Sequence, residues 1–157
     1  MIPLPVRIYK HWIGYVAIAL TAIILIGLLW VGLYSWIAAP GVDQGLVFQI
    51  AVITLLSIVV IAAVLMYVYS LSYLELNVSG CVIKNYVTPF ASKDEQFEWA
   101  KVSRSTATKA GLFGTIFNFG TISAETEGGS IQAKITLMPR PEYWQQVIQE
   151  KADQVTP

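Results

Sequence analysis

The sequence predicts a membrane protein: a two-helix transmembrane hairpin followed by a small antiparallel β module and a C-terminal amphipathic helix. Hydrophobic residues make up 55% of the 157 positions and charged residues only 13%, whereas soluble domains carry about 25% charged residues. Two long apolar runs without a charged residue occupy residues 12–37 and 46–71. After them the apolar side chains alternate with a period of two, which is typical of strands.

Both apolar runs are long enough to cross a bilayer. About 20 residues, each rising about 1.5 Å, span a hydrocarbon core of about 30 Å. The apolar core of a signal peptide is shorter, about 7–15 residues, so we interpret the first run as a retained anchor. Neither run contains a charged residue at depth, which favours an anchor over a transport pathway.

The basic residues near the first run predict its orientation. Arg7 and Lys10 precede it, whereas the connecting loop contains Asp43 and no Lys or Arg. Because basic residues favour the cytoplasmic side, we expect residues 1–11 to be a cytoplasmic tail and both termini to be cytoplasmic. The expected location is the inner (cytoplasmic) membrane, as a multi-pass protein.

The distribution of charge marks a second domain. Of the 20 charged residues, 17 lie beyond position 74, so we assign residues 12–71 to the hairpin and residues 72–157 to a cytoplasmic domain. This domain has eight Lys and Arg against nine Asp and Glu. Nucleic-acid binding normally requires a basic surface, so the expected partners are the lipid bilayer and proteins, not nucleic acid.

The sequence contains no pattern typical of an enzyme. His11 is the only histidine and Cys81 the only cysteine, so neither a zinc-ligand spacing nor a Ser/His/Asp set can be assembled in the cytoplasmic domain. We expect no catalytic residue, no cofactor and no metal. Cys81 is interpreted as a small buried apolar residue in a strand.

The alternating segments predict a sheet. In the first, Leu74, Leu76 and Val78 should face the core. Further strands are predicted at residues 81–88, 97–99, 102–108, 121–126 and 131–137, with a polar loop at 89–95 and a turn at 127–130. In the last strand Ile131, Ala133, Ile135 and Leu137 should share one face.

A helix should follow the last strand. Pro141 suits the first turn of a helix, where its missing N–H costs little. Two pairs of apolar residues spaced four apart would form one face of this helix; they are Trp144 with Ile148 and Tyr143 with Val147. We expect this face to cap the sheet.

The segment from Gly111 to Gly120 combines three glycines with many apolar residues. No Lys-Ser or Lys-Thr follows the glycines, so a phosphate-binding loop is excluded. Core packing, bilayer contact and contact with another subunit remain open for its apolar side chains, since exposed apolar patches mark interfaces. The candidate interaction surface consists of Leu112, Phe113, Ile116, Phe117 and Phe119.

Together these segments resemble a known family. The motifs are two spans, then Tyr-Leu-Glu-Leu from Tyr73, then Gly-Leu-Phe-Gly-Thr-Ile from Gly111 with Gly-Thr-Ile from Gly120, and Ile-Thr-Leu from Ile135 before Pro141. This order resembles the bacterial pleckstrin-homology-like two-span membrane proteins. The resemblance implies a strongly bent antiparallel sheet closed by the C-terminal helix.

The resemblance also implies a role in assembly or recognition. The expected function is a membrane-anchored interaction or scaffold module that binds protein partners or assembles with copies of itself. The alternative is an accessory subunit of a larger membrane enzyme or transporter complex.

Topology can be tested by cysteine labelling in intact cells. With Arg7 and Lys10 inside, a membrane-impermeant thiol reagent should label Asp43→Cys from outside and reach Lys93→Cys only after the cells are permeabilised. Labelling of Lys93→Cys in intact cells would contradict this orientation.

Overall fold

The computed structural model of the chain describes residues 4–37, 41, 43–109, 111–126 and 131–155. The chain divides into two compact units. One, here called the β module, comprises Met1–Trp12 and Val68–Pro157; the other, the helical unit, comprises Ile13–Tyr67. The β module is therefore built from residues on both sides of the helical unit.

Two long helices, α1 (Ile13–Ile37) and α2 (Gln44–Leu71), occupy the positions predicted for the spans. Both are long and apolar enough to cross a membrane. Asp43 is the N-cap residue of α2. Its Oδ1 accepts hydrogen bonds from the backbone N–H of Gly45 at 2.8 Å and of Leu46 at 3.3 Å, as helix-capping residues do. Asp43 thus has a structural role at the start of α2.

Four Ser and Thr hydroxyl groups along these helices form hydrogen bonds within their own helix. Each donates a hydrogen bond of 2.8–3.1 Å to the carbonyl oxygen four residues earlier. The four residues are Thr21, Ser35, Thr54 and Ser57. Such internal bonds suit an apolar environment, where an unsatisfied polar group costs several kcal/mol, about the cost of one lost core side chain.

The β module contains two antiparallel sheets and two helices. The first sheet has the strand order β1-β2-β3-β4, with β1 (Val6–Tyr9), β2 (Tyr73–Leu76), β3 (Gly80–Thr88) and β4 (Ala91–Glu98). A 3-10 turn (Trp99–Lys101) leads to the second sheet, of order β5-β6-β7, with β5 (Val102–Lys109), β6 (Phe119–Thr126) and β7 (Ile131–Pro139). The helices are α3 (Gly111–Ile116) and α4 (Pro141–Val155).

Strand β1 is a correction to the expected cytoplasmic tail of residues 1–11, because Val6–Tyr9 form part of a sheet. It pairs with β2 from Val6↔Leu76 to Tyr9↔Tyr73, and Ile8 is buried in the core. The strand has only four residues and lies next to a proline, so its alternation is too short to be detected as a pattern. Its partner β2 lies on the far side of both apolar runs.

The core lies between the two sheets and α4. Its most deeply buried large side chains include Trp99, Leu74, Leu76, Ile135, Met138 and Ile148. The indole N–H of Trp99 donates to the carbonyl oxygens of Asn77 at 3.1 Å and Val78 at 3.2 Å, which satisfies its polar atom in the interior. Cys81 is buried in β3 as predicted, and burial raises the pKa of its thiol to about 12.

Three details of the predicted strands are wrong: two concern β4 and β2, and the third concerns β7. Residues 91–95 of the predicted polar loop belong to β4, an edge strand whose charged side chains can remain in water. Val78 is 79% exposed because β2 ends at Leu76. The predicted turn at 127–130 lies outside the described residues.

The third difference is in β7, where Met138 and not Leu137 is fully buried. Leu137 has a φ of 58°, and the pairing with β6 shifts between Gly120 and Ile122. An extra residue at a bulge reverses the alternation beyond it, so the inward positions change from odd to even numbers. The side chains of Ile131 and Ala133 lie outside the described part of the structure.

Helix α4 begins at Pro141 and packs against the core, as the sequence predicts. Ile148 and Ala152 are buried, and Trp144 and Val147 are partly buried against the same cluster. Polar contacts join it to β5, since the Ser105 backbone N–H and hydroxyl both donate to Gln149 Oε1 at 3.0–3.1 Å. Helix α4 therefore covers the end of the core next to β5.

The structure predicts that residues 72–157 do not fold stably without β1. They lose the β1–β2 pairing and Ile8, and losing a buried isoleucine side chain alone costs about 2–5 kcal/mol. By contrast, a variant in which a short Gly-Ser linker replaces Ile13–Tyr67 should fold, because Tyr69 Oη lies 2.7 Å from the His11 carbonyl oxygen. Thermal unfolding followed by circular dichroism compares the two, and equal melting temperatures would contradict the prediction.

Candidate interaction surface

Helix α3 holds the predicted surface residues at the C-terminal end of β5. Leu112, Phe113 and Ile116 are 64–73% exposed, and Phe117, just after the helix, is 38% exposed. Phe119 is buried at the start of β6 and belongs to the core side of the segment. The five candidate residues thus separate into four that face outward and one that does not, which corrects the placement of Phe119.

The glycines around α3 are explained by close backbone contacts. A Cβ atom on Gly120 would lie 2.4 Å from the Thr108 carbonyl oxygen, and one on Gly114 would lie 3.0 Å from the Phe119 carbonyl oxygen. Only glycine allows these approaches without displacing the backbone. The glycine pattern therefore holds a short helix tightly on the end of the β5–β6 pair.

An aromatic cluster connects this segment to the residues that precede α1. The Trp12 and Phe117 rings meet edge to face at 6.0 Å, and His11 stacks at a tilt on Phe119 at 5.5 Å. The His11 backbone N–H donates to the Leu137 carbonyl oxygen at 2.6 Å. Because Ile13 is the first residue of α1, the surface on α3 lies beside the chain segment that leads into α1.

Partial burial in this cluster lowers the pKa of two basic groups. Burial lowers the pKa of His11, and a hydrogen bond with the Phe117 backbone acts weakly in the opposite direction. Burial also lowers the pKa of Lys10, whose Nζ lies 2.9 Å from Asn85 Oδ1 and 5.5 Å from the centre of the Tyr69 ring. Lys10 is therefore held in the module and is not a freely mobile surface charge.

Most other charges of the β module are paired at its surface. Five ion pairs of 2.5–3.5 Å join Arg7 to Glu75, Lys84 to Asp94, Lys93 to Glu95, Lys101 to Glu98 and Lys109 to Glu142. The hydrogen bond from Arg7 lowers the pKa of Glu75. Exposed pairs contribute about 0–1 kcal/mol each, so they neutralise the surface more than they stabilise the fold.

Within the described ranges, no three His, Cys, Asp or Glu side chains come together in a group that could hold a metal ion. The exposed apolar surface on α3 is a feature of the β module that core packing does not explain. The sequence pattern already indicated its four residues, Leu112, Phe113, Ile116 and Phe117. It did not detect the contact between Trp12 and Phe117, because these residues are far apart in the chain.

Comparisons with known proteins add no relative: no family model matches the chain, and neither the curated proteins nor the solved structures compared with it are similar.

The lowered pKa of His11 predicts a pH dependence of stability. As the pH falls below the ordinary histidine pKa of 6.5, the unfolded chain binds a proton before the folded chain does. The free energy of unfolding should therefore decrease as the pH falls through 6.5 to the lower folded-state pKa, and level off below it.

His11→Gln should reduce this pH dependence, because its side chain does not titrate. The measurement is thermal unfolding of the intact protein in detergent at about pH 7.5 and about pH 5.5, on either side of the histidine range but above the carboxylate range. If both proteins lose the same stability, His11 is not the responsible group.

Proposed function

We propose that this protein is a membrane-anchored interaction module. Helices α1 and α2 cross the cytoplasmic membrane, both termini lie in the cytoplasm, and the β module binds a membrane protein partner or a second copy of the chain. The observation that carries the proposal is the exposed apolar surface formed by Leu112, Phe113 and Ile116 on α3. The proposed role is non-catalytic.

Two features support the anchor and its orientation. The helices have 25 and 28 residues, more than the approximately 20 that a bilayer requires. Arg7 and Lys10 lie on the module side of α1, and the segment between the helices contains Asp43 and no basic residue, which agrees with the preference of basic residues for the cytoplasm.

The pleckstrin-homology-like fold is supported by the order of the elements. A four-stranded antiparallel sheet is followed by a three-stranded one, and a helix after the last strand packs on the core. This arrangement agrees with the bent sheet and closing helix that the family resemblance implies. The first strand precedes the two helices in the chain, so the proposed domain is discontinuous.

The apolar surface on α3 is suited to a protein contact near the membrane. Burying one such side chain contributes about 1.5–3 kcal/mol, so three together supply a useful part of a binding energy. The Trp12–Phe117 contact places the surface beside the segment leading into α1. A partner confined to the same membrane has already lost much of the translational freedom that association costs.

Substitutions of an exposed and a buried phenylalanine in the same segment test the proposal. Phe113 is 67% exposed and Phe119 is 8% exposed. Phe113→Ser should leave the thermal stability of the intact protein unchanged but weaken its assembly in mild detergent. Phe119→Ser should instead destabilise the fold by about 3–5 kcal/mol, as removal of a buried phenylalanine does.

The measurements are thermal unfolding and the size of the assembly by chromatography with light scattering. A homo-oligomer that Phe113→Ser dissociates supports self-association. A fixed stoichiometry with another membrane protein, reduced by the same substitution, supports the accessory-subunit alternative. If Phe113→Ser unfolds the protein or leaves every assembly unchanged, the surface on α3 is not an interface.

A further inference from the structure

A second apolar feature lies at the turn between β3 and β4. Phe90 is 99% exposed and Val87 is 71% exposed, although single exposed apolar residues are common on protein surfaces. Residues 85–92 contain no charged residue, and Lys84 and Lys93 stand on either side of them. We call residues 87–91 the β3–β4 tip.

The pairing of the strands determines which way this tip points. Strand β1 ends at Tyr9, close to the start of α1, and β2 begins at Tyr73, directly after α2. Tyr9 pairs with Tyr73, so both connections to the helices leave the sheet at the same end. Any part of the sheet that extends beyond this pair extends towards the side from which the helices connect.

Strand β3 extends beyond it. Tyr73 pairs with Lys84, and β3 then continues to Thr88 before the chain turns. The Tyr86 backbone N–H donates to Ser72 Oγ at 3.1 Å, which places Tyr86 level with the end of α2. The two further strand residues, Val87 and Thr88, add about 7 Å, so the tip projects past both connections.

We propose that the β3–β4 tip inserts Val87 and Phe90 into the interfacial region of the bilayer that α1 and α2 cross. The inference rests on the membrane anchoring proposed above and adds a lipid contact to it. Tyr86 lies between the apolar tip and the paired residues Lys84 and Asp94, which are 3.5 Å apart. This sequence of apolar, amphipathic and charged side chains matches the change in polarity from the bilayer to water.

The size of the tip favours lipid over a protein partner. A specific protein interface buries about 800 Å² on each partner, far more than two side chains at a turn provide. A bilayer requires no complementary shape, and the proposed anchor keeps the module at the membrane surface. Because the tip is uncharged, its insertion does not require anionic lipids, in contrast to attraction of basic segments.

The test uses spin labels on the full-length protein in phosphatidylcholine vesicles. A nitroxide is attached to Phe90→Cys, and its collision rates with oxygen and with a water-soluble nickel complex are compared. Val78→Cys is the matched control, because Val78 is also an exposed apolar residue, at 79%, and lies in the turn at the opposite end of β3. Cys81 can remain, since it is buried and its raised pKa leaves a slowly reacting thiol.

The expected result is a several-fold higher ratio of oxygen to nickel collisions at Phe90→Cys than at Val78→Cys. A label on Ile24→Cys in α1 separates the two proposals. If the label at Ile24→Cys reports lipid while that at Phe90→Cys reports water, the tip inference is overturned and the anchor stands. If the label at Ile24→Cys reports water, the anchor itself fails.

Dilution distinguishes lipid from a second copy of the chain. The protection of the Phe90→Cys label from the nickel complex should be independent of the protein-to-lipid ratio, because each molecule inserts its tip into the bilayer that it spans. Protection that disappears on dilution would mean that another copy covers the tip, and it would overturn the proposal.

Discussion

The antiparallel pairing of β1 with β2 is the constraint on which the rest of the structure depends. These two strands lie on opposite sides of the helical unit in sequence but are neighbours in one sheet. The pairing brings Ile8 into the core and the Arg7 guanidinium to Glu75. Because such long-range pairing must follow synthesis of both helices, the module can be completed only after the second helix has been made.

The same pairing places both connections to the helices at one end of the β module. There the Tyr69 hydroxyl donates to the His11 carbonyl oxygen at 2.7 Å, and the His11 backbone N–H donates to Leu137 at 2.6 Å. The segment between β1 and α1 is thus joined by hydrogen bonds to α2 and to β7 at this end. The exposed apolar residues of α3 are linked to it through Trp12, so the candidate surface and the connections belong to one region of the module.

The charges at the surface of the β module are largely balanced. Five ion pairs at the module surface set acidic against basic side chains, and the formal charge of the whole chain is zero. A surface balanced in this way supplies little long-range electrostatic attraction. The contacts proposed for α3 and for the β3–β4 tip are therefore apolar and short-ranged, and they depend on the protein being held at the membrane already.

The sequence by itself determined the two long helices, most of the strands and the C-terminal helix. These elements follow from local signals: uncharged runs of more than about 20 residues, alternation of apolar side chains, and a proline at a helix start. It also identified Leu112, Phe113, Ile116, Phe117 and Phe119 as unusual, because these apolar residues are concentrated between two glycines.

Only the tertiary structure decided that Val6–Tyr9 form a strand, that Phe119 is buried, and in which direction the β3–β4 tip points. Strand β1 is recognisable only through its partner β2, and Phe119 is buried while Phe113, six positions earlier, is exposed. The bulge at Leu137 likewise reverses the inward face of β7. The physical reason is common to all of them: burial and direction are set by strand pairings between residues distant in the chain, and no local pattern contains that information.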